Sequence, residues 1–162
     1  MTVIDRLETA VTGPKAQATG LLALRVTTAG LLFWWGLAKG LDLGVGQAVS
    51  TKYYGGVFNA DVLLIAFGWL QVIAAIALAL GLFRRALLPF QFVVNLFVAL
   101  AVWQSLIDPF WLWMGGEKPG TVNTLFYPSA IVAAASFVLI ALREQDAWAL
   151  DRVIGAKQTA AA

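Results

Sequence analysis

The chain has 162 residues, of which 60% are hydrophobic and only 12% are charged. Soluble domains are about 45–50% apolar and about 25% charged, so this composition excludes an ordinary globule that faces water. The net charge is +2 and no basic face is clustered, so we expect no nucleic-acid partner. The chain contains no Cys and no His. We therefore expect no haem, Fe–S cluster or metal ligated by this chain.

The first segment, residues 1–19, is a candidate surface helix. Val3, Ile4, Leu7 and Val11 fall on one helical face, which is typical of an amphipathic helix lying on the inner leaflet. A flexible chain end is the alternative.

Four apolar stretches occupy residues 20–143. A helix needs about 20 residues to cross a hydrocarbon core of about 30 Å, and no stretch shows the alternation of a strand. In lipid, only helices and closed barrels satisfy every backbone group. We therefore predict an all-α, integral membrane four-helix bundle. Its spanning helices are expected at 20–41, 62–83, 86–107 and 125–142.

The connectors differ in length. Arg84 and Arg85 form a short turn, which predicts that the second and third spans are an antiparallel hairpin. The longer connectors then lie at the opposite end of the bundle, with a short helix between Gly44 and Lys52. Glycine pairs predict turns at 55–56 and 115–116. The final segment, 144–162, is expected to begin as an amphipathic helix and to end disordered.

Orientation follows from the distribution of cations. Eight Lys or Arg residues fall on the side of the termini and three on the other side. The positive-inside rule places the richer side in the cytoplasm, which predicts cytoplasmic termini in a multi-pass protein of a bacterial or archaeal inner membrane. The eight are Arg6, Lys15, Arg25, Arg84, Arg85, Arg143, Arg152 and Lys157, and the three are Lys39, Lys52 and Lys118.

Arg25 is the first candidate site residue, because charged groups are costly within a membrane span. It lies about one turn inside the cytoplasmic edge. The side chain either extends to the lipid headgroups or binds an anion or a quinone carbonyl inside the bundle.

Two amides form a second candidate. Gln71 and Asn95 lie near the middle of the second and third spans, so they could meet at similar depth, and Gln91 lies one turn from Asn95. They either link helices by hydrogen bonds or line a polar pocket for a headgroup.

A third candidate lies at the outer end of the bundle. Gln104 and Asp108 share a helical face, and Lys39 and Trp111 are expected at the same level. Asp108 could accept a proton or pair with Lys39. The alternative is a set of interfacial charges that anchor helix ends. Gly36, Gly40 and Gly44 surround Lys39 at four-residue spacing, which favours close helix packing.

Several short motifs resemble the DoxX/DoxD-like membrane family. They include Leu24-Arg25, Gly36-Leu37-Ala38-Lys39, the run 77–85 that ends in Arg84-Arg85, and Leu150-Asp151-Arg152. The resemblance implies a four-helix membrane protein, which in some members is the small subunit of thiosulfate:quinone oxidoreductase. Family members often carry an acidic residue where this chain has Gln71, and an amide cannot titrate.

From the residues and the resemblance together, we expect a membrane subunit of a quinone-linked redox system. It would bind quinone non-covalently and act with another membrane or redox subunit, or as a homo-oligomer. A non-catalytic scaffold subunit of a larger membrane complex is the main alternative, and a small-solute transporter is the next. Whether the chain itself is an enzyme stays open.

Overall fold

The computed structural model describes residues 2–108, 113 and 127–160, and within these ranges every regular element is helical. The predicted all-α fold class is therefore confirmed for this part of the chain. The helices are α1 (Val3–Thr12), α2 (Pro14–Leu41), α3 (Leu43–Tyr54), α4 (Asp61–Leu80), α5 (Arg84–Ala101), α6 (Trp103–Ile107), α7 (Tyr127–Ala141) and α8 (Leu150–Ala160), with a 3₁₀ turn at Arg143–Gln145.

Three of the described helices, α2, α4 and α5, are long and apolar enough to span a membrane. With a rise of about 1.5 Å per residue, α2 is about 42 Å long and exceeds the thickness of a hydrocarbon core. Helix α7 is apolar but shorter, with 15 residues. These helices indicate a multi-pass membrane protein.

The distribution of polarity supports a lipid environment. Gln91 and Ser136 are fully buried between helices, whereas Ile73 is 65% exposed and Phe97 is 52% exposed. A bundle in water would bury the apolar side chains and expose the amides, because an apolar surface of this extent is unfavourable in water. Polar groups inside and apolar groups outside fit a protein surrounded by hydrocarbon.

Helix packing is organised as two close pairs. Helix α4 packs chiefly on α2, and α5 packs chiefly on α7, with α2 also touching α7. The first pair meets at two glycines. A Cβ atom at Gly36 would lie 2.7 Å from the carbonyl oxygen of Gly68, and one at Gly68 would lie 2.8 Å from that of Gly36. Only residues without a side chain permit this approach.

Several element boundaries differ from the predictions, and α5, for example, begins at Arg84 where 86 was expected. Two of the differences have a clear local cause. Helix α2 begins at Pro14, six residues before the predicted start, because proline is favoured in the first turn of a helix. The third predicted span, 86–107, is divided at Val102, whose φ of −115° and ψ of 22° are not helical. The flanking hydrogen bonds, from Val102 N to Val98 O and from Leu106 N to Val102 O, are both 3.3 Å long, so the chain bends here.

Other predicted features agree with the structure. A helix, α3, covers the 44–52 region, and Gly55 ends it in the left-handed conformation with φ of 61°. Helix α4 ends at Leu80, three residues before the predicted end, and Gly81 caps it in the same left-handed conformation with φ of 77°. Residues 125–126 and the predicted turn at 115–116 lie outside the described residues.

Both end segments contain helices. Thr2 and Asp5 form a reciprocal capping box at the start of α1, a motif that stabilises helix N-termini. Val3 and Ile4 are 75% and 74% exposed. The described polar residues of α1 are exposed as well, so the placement of this helix on the inner leaflet stays a prediction.

The contact between Gly36 and Gly68, which we call the glycine crossing, gives a direct test of the fold. Replacing Gly36 with Ala forces a methyl group against the α4 backbone, and overpacking of this kind costs about 1–3 kcal/mol. Gly30→Ala is the matched control in the same helix, because nothing lies within 4 Å of a Cβ there. We expect reversible unfolding in mixed micelles to show Gly36→Ala destabilised and Gly30→Ala unchanged or stabilised. Equal stability of the two variants would contradict the crossing.

Candidate functional site

A cavity of about 530 Å³ lies between α2, α3, α4 and α5, and we call it the pocket. Its walls are mostly apolar, and its volume falls within the range of about 300–1,000 Å³ that is usual for small-molecule sites. Each of the four helices contributes both apolar and polar side chains. The polar ones are Lys39, Ser50, Tyr54, Gln71 and Asn95, joined by Ser129 of α7.

Lys39 is the charged group of the pocket. Its Nζ donates to Gln71 Oε1 at 3.0 Å and to the carbonyl oxygen of Trp35 at 3.2 Å. It also lies 5.6 Å from the ring centroid of Trp35 and 5.7 Å from that of Phe67, distances at which an ammonium is attracted to an aromatic face. All these partners are neutral, so the positive charge has no anionic partner among the described residues.

The glycine crossing positions Lys39 and Gln71 next to each other. Gln71 lies one turn beyond Gly68 on α4, and Lys39 lies one turn beyond Gly36 on α2. A Cβ at Gly68 would lie only 3.1 Å from Lys39 Cβ. Because the two backbones touch here, the short distance between the ammonium and the amide follows from the packing.

Asn95 supplies an amide on the opposite wall. Its Nδ2 donates to the backbone oxygen of Gln91 at 2.9 Å, which leaves its second amide hydrogen for an occupant. Gln91 itself donates to Ser136 Oγ at 2.9 Å and links α5 to α7. The structure thus brings Gln71 and Asn95 to the same pocket, whereas Gln91 serves as a link between helices.

Aromatic side chains line the pocket between the end of α3 and α5. The rings of Tyr54 and Phe97 are stacked with centroids 5.7 Å apart, and Phe58 meets Phe97 edge-on at 6.4 Å. Burial, together with the neighbouring Tyr53, raises the pKa of Tyr54. Its hydroxyl therefore stays protonated at neutral pH and can donate a hydrogen bond.

Arg25 does not face the pocket. Its guanidinium is 1% exposed and pairs with Asp146, which follows α7. Weaker hydrogen bonds of 3.4 Å reach the carbonyl oxygens of Ala79 and Trp148. The sequence offered a lipid headgroup or a bound ligand as the partner, and the structure gives an internal carboxylate instead.

Arg84 completes an ion network, which we define as Arg25, Arg84, Asp146 and Asp151. Arg84 donates to Asp151 Oδ1 through Nε at 2.7 Å and approaches Asp146 Oδ2 at 3.4 Å. Two guanidinium groups thus meet two carboxylates, and the network is neutral. It fastens the segment after α7 to α2 at Arg25 and to the turn between α4 and α5.

Gly81 permits this contact. A Cβ there would lie 2.7 Å from Ala149 Cα and 3.0 Å from Arg25 Cζ, and its φ is positive. The backbone of Asp151 donates to Gly81 O at 3.1 Å. The turn between α4 and α5 is therefore shaped to receive the C-terminal segment.

The outer candidate site is not assembled. Lys39 is held by Gln71 rather than by Asp108, and Gln104 is exposed. Asp108 is buried and accepts a 2.7 Å hydrogen bond from the backbone of Trp113. Trp111 lies outside the described residues. Within the described part of the chain, no group of three or more His, Cys, Asp or Glu could hold a metal ion.

Sequence reasoning missed three features of these sites. Asp146 and Asp151 were not identified as site residues from the sequence, because their partners Arg25 and Arg84 are distant in sequence. Gly68 lies inside an apolar run, although a lone glycine at the centre of a span is a signal for close helix packing.

Comparisons of the chain with protein-family models, with curated proteins and with solved structures give no match.

The ion network gives a second test. Asp146→Asn leaves Arg25 buried without its charge partner, and loss of one member of a buried pair costs about 3–5 kcal/mol. The double variant Arg25→Met/Asp146→Leu removes both charges, while Arg84 keeps Asp151. We expect unfolding in mixed micelles to show a large loss for the single variant and recovery of most of it in the double variant. Lys15→Met, at an exposed position, is the control and should change little.

Proposed function

We propose that this chain is the small membrane subunit of a quinone-linked redox system and that the pocket binds the quinone. The observation that carries the proposal is Lys39, a cation with neutral partners at the wall of an apolar cavity. Such a site suits a lipophilic molecule whose polar end accepts hydrogen bonds.

The chemistry of a quinone fits these groups. Its carbonyl oxygens only accept hydrogen bonds, and the pocket offers donors in Lys39, Asn95 and Tyr54. Its ring is flat and apolar, and the rings of Trp35 and Phe67 beside Lys39 provide matching faces. Its tail requires hydrocarbon-like walls, which the remaining lining supplies.

Lys39 has a defined role in this proposal. A hydrogen bond from an ammonium is roughly twice as strong as a neutral one, so Lys39 orients the ring by one carbonyl oxygen. A bound quinone accepts electrons and protons. Negative charge that develops at the bound oxygen is stabilised by the ammonium, whose effect is larger in a site that excludes water. Gln71 holds Nζ in place through the 3.0 Å hydrogen bond.

Electrons would reach the pocket from a partner subunit, because this chain contributes no Cys or His. The resemblance of its motifs to the DoxX/DoxD-like family supports this arrangement and suggests a sulfur compound such as thiosulfate as the donor. Gln71 replaces the acidic residue common in that family, so proton transfer at this position is not part of the proposal.

The proposed topology has four spans, with α7 as the fourth and both termini in the cytoplasm of a bacterial or archaeal cell. The support is the excess of cations near the termini. The contacts of the ion network add to it, because they join α2 at Arg25, the α4–α5 turn and the segment after α7 toward one end of the bundle.

Quinone binding is tested by replacing Lys39, the charged hydrogen-bond donor of the pocket. A hydrogen bond to a charged group contributes about 1.5–3 kcal/mol, so Lys39→Met should weaken quinone binding by about ten- to a hundredfold. Binding is measured by quenching of tryptophan fluorescence in nanodiscs, and bound quinone is identified by mass spectrometry after mild extraction.

Lys52→Met is the control for that experiment, because Lys52 lies over the Tyr53 ring and not in the pocket. Lys39→Gln serves as a second variant if Lys39→Met unfolds. Wild-type protein that binds no quinone would refute the proposal. Stable co-purification with other membrane proteins without quinone would instead favour the alternative that this chain is a non-catalytic scaffold subunit.

Topology is tested by single cysteines, which are unique labels in a chain without Cys. Ala48→Cys lies on α3 and Ala86→Cys lies next to the α4–α5 turn, and both positions are exposed. On intact spheroplasts, a membrane-impermeant maleimide should label Ala48→Cys alone, and Ala86→Cys should react only after permeabilisation. Gln158→Cys should behave like Ala86→Cys. Labelling of positions 86 and 158 from opposite sides would refute the topology.

A further inference from the structure

The pocket lies where two consecutive helices separate. Helices α4 and α5 are joined by the short turn at Gly81–Phe83, yet they pack mainly on α2 and α7 and little on each other. Their pocket residues begin at Gln71 on α4 and at Val93 on α5. Each lies ten residues from the turn, which is about 15 Å along a helix. The two helices are thus held together at the turn and are apart at the pocket.

Four side chains at this gap belong both to the pocket and to the outer surface. Leu63 is 59% exposed and Phe67 is 37% exposed on α4, while Val93 is 60% exposed and Phe97 is 52% exposed on α5. Deeper lining residues such as Gln71 and Asn95 are 2% and 6% exposed. The pocket therefore reaches the outer surface between α4 and α5 at these four apolar side chains, and it is also partly exposed at the α3 end, where the lining residues Val45 and Phe58 are 38% and 43% exposed.

The end of the pocket toward α3 is arranged differently. Tyr54 and Phe58 contact Phe97 and connect the end of α3 to α5. Ser50 is 2% exposed and accepts a hydrogen bond from the backbone of Phe58 at 3.1 Å. These contacts join α3 and its loop to the bundle, whereas the most exposed side chains of the lining, Leu63 at 59% and Val93 at 60%, lie on α4 and α5. The side of these two helices is therefore the more open one.

We propose that the pocket is filled sideways from the bilayer through a lateral opening formed by Leu63, Phe67, Val93 and Phe97. The occupant is a lipid-dissolved molecule whose head reaches Lys39 and whose apolar tail stays in the opening, between α4 and α5. Because α4 and α5 are both apolar enough to span a membrane, such a tail passes from the pocket into hydrocarbon without contacting water. The identity of the head as a quinone depends on the proposed function, whereas the direction of entry does not.

The first experiment measures the direction of entry without a quinone. A nitroxide attached at Val94→Cys, in the pocket lining, is a unique label in this cysteine-free chain. In liposomes, its collisions with oxygen, which dissolves in lipid, are compared with collisions with a water-soluble nickel chelate. Labels at Ile73→Cys and Lys52→Cys, both exposed, provide the lipid and water references.

We expect high oxygen and low nickel accessibility at position 94, and a fall in oxygen accessibility when Leu63→Trp is added. Ile73→Trp, which is exposed on α4 but does not line the pocket, should leave it unchanged. High nickel accessibility would show entry from water. Low accessibility to both probes would show a closed cavity. Either result overturns the proposal.

The second experiment uses a benzoquinone with a decyl tail and the same ring without a tail. In nanodiscs, Leu63→Trp and Val93→Trp should slow release of the decyl quinone by at least about tenfold, since changes in affinity fall mostly on release rates. Ile73→Trp and Leu100→Trp are exposed controls outside the pocket and should not change it. The ring without a tail should be affected less.

The outcomes separate the two proposals. If wild-type protein binds neither quinone, the proposed function fails, while the nitroxide measurement still decides how the pocket opens. If quinone binds but Leu63→Trp and Val93→Trp both release it at the wild-type rate, the lateral opening is refuted and the quinone site stands.

Discussion

The close contact between Gly36 and Gly68 is the constraint on which the rest of the structure depends. Two helix backbones touch only where neither carries a side chain, and here a Cβ on either residue would overlap the other's carbonyl oxygen. The contact fixes the distance between Lys39 and Gln71, so a long, flexible cation is held at one place. Helix α4 packs closely on α2 and little on α5. The pocket lies in the space between α4 and α5.

Charge is distributed between two environments in this bundle. At the end near the α4–α5 turn, buried guanidinium groups meet buried carboxylates, and the ion network is neutral. In the pocket, the partners of the Lys39 ammonium among the described residues are neutral groups and aromatic faces. Burying a charge whose partners are all neutral costs free energy unless a further group pairs with it. The ion network therefore stabilises the fold, whereas the ammonium of Lys39 can still interact with a bound molecule.

Much of the fold could be predicted from the sequence because lipid imposes strong rules. The first three apolar stretches correspond to α2, α4 and α5 and its continuation α6, and the glycine pair at 55–56 identified the end of α3. Composition identifies such segments, since their length and hydropathy follow from the bilayer. The break at Val102 was not predictable, because an apolar run contains no mark of a local bend.

The sites were harder to predict because they depend on pairs distant in sequence. Lys39, Gln71 and Asn95 were recognised as polar groups in apolar spans, and the structure places all three in one pocket. Which of them would meet depends on the packing of α4 against α2, and a single sequence does not reveal that choice. For the same reason Arg25 was assigned to headgroups or a ligand, when its partner Asp146 lies 121 positions later.

That separation has a consequence for how the protein is made. Arg25 enters the membrane with the first span, but the ribosome completes Asp146 only after every other span has been synthesised. A buried arginine without its carboxylate is strongly unfavourable, so the contacts that hold α2 at Arg25 form only after Asp146 has been made. The packing of α2 is therefore completed by the segment that follows α7.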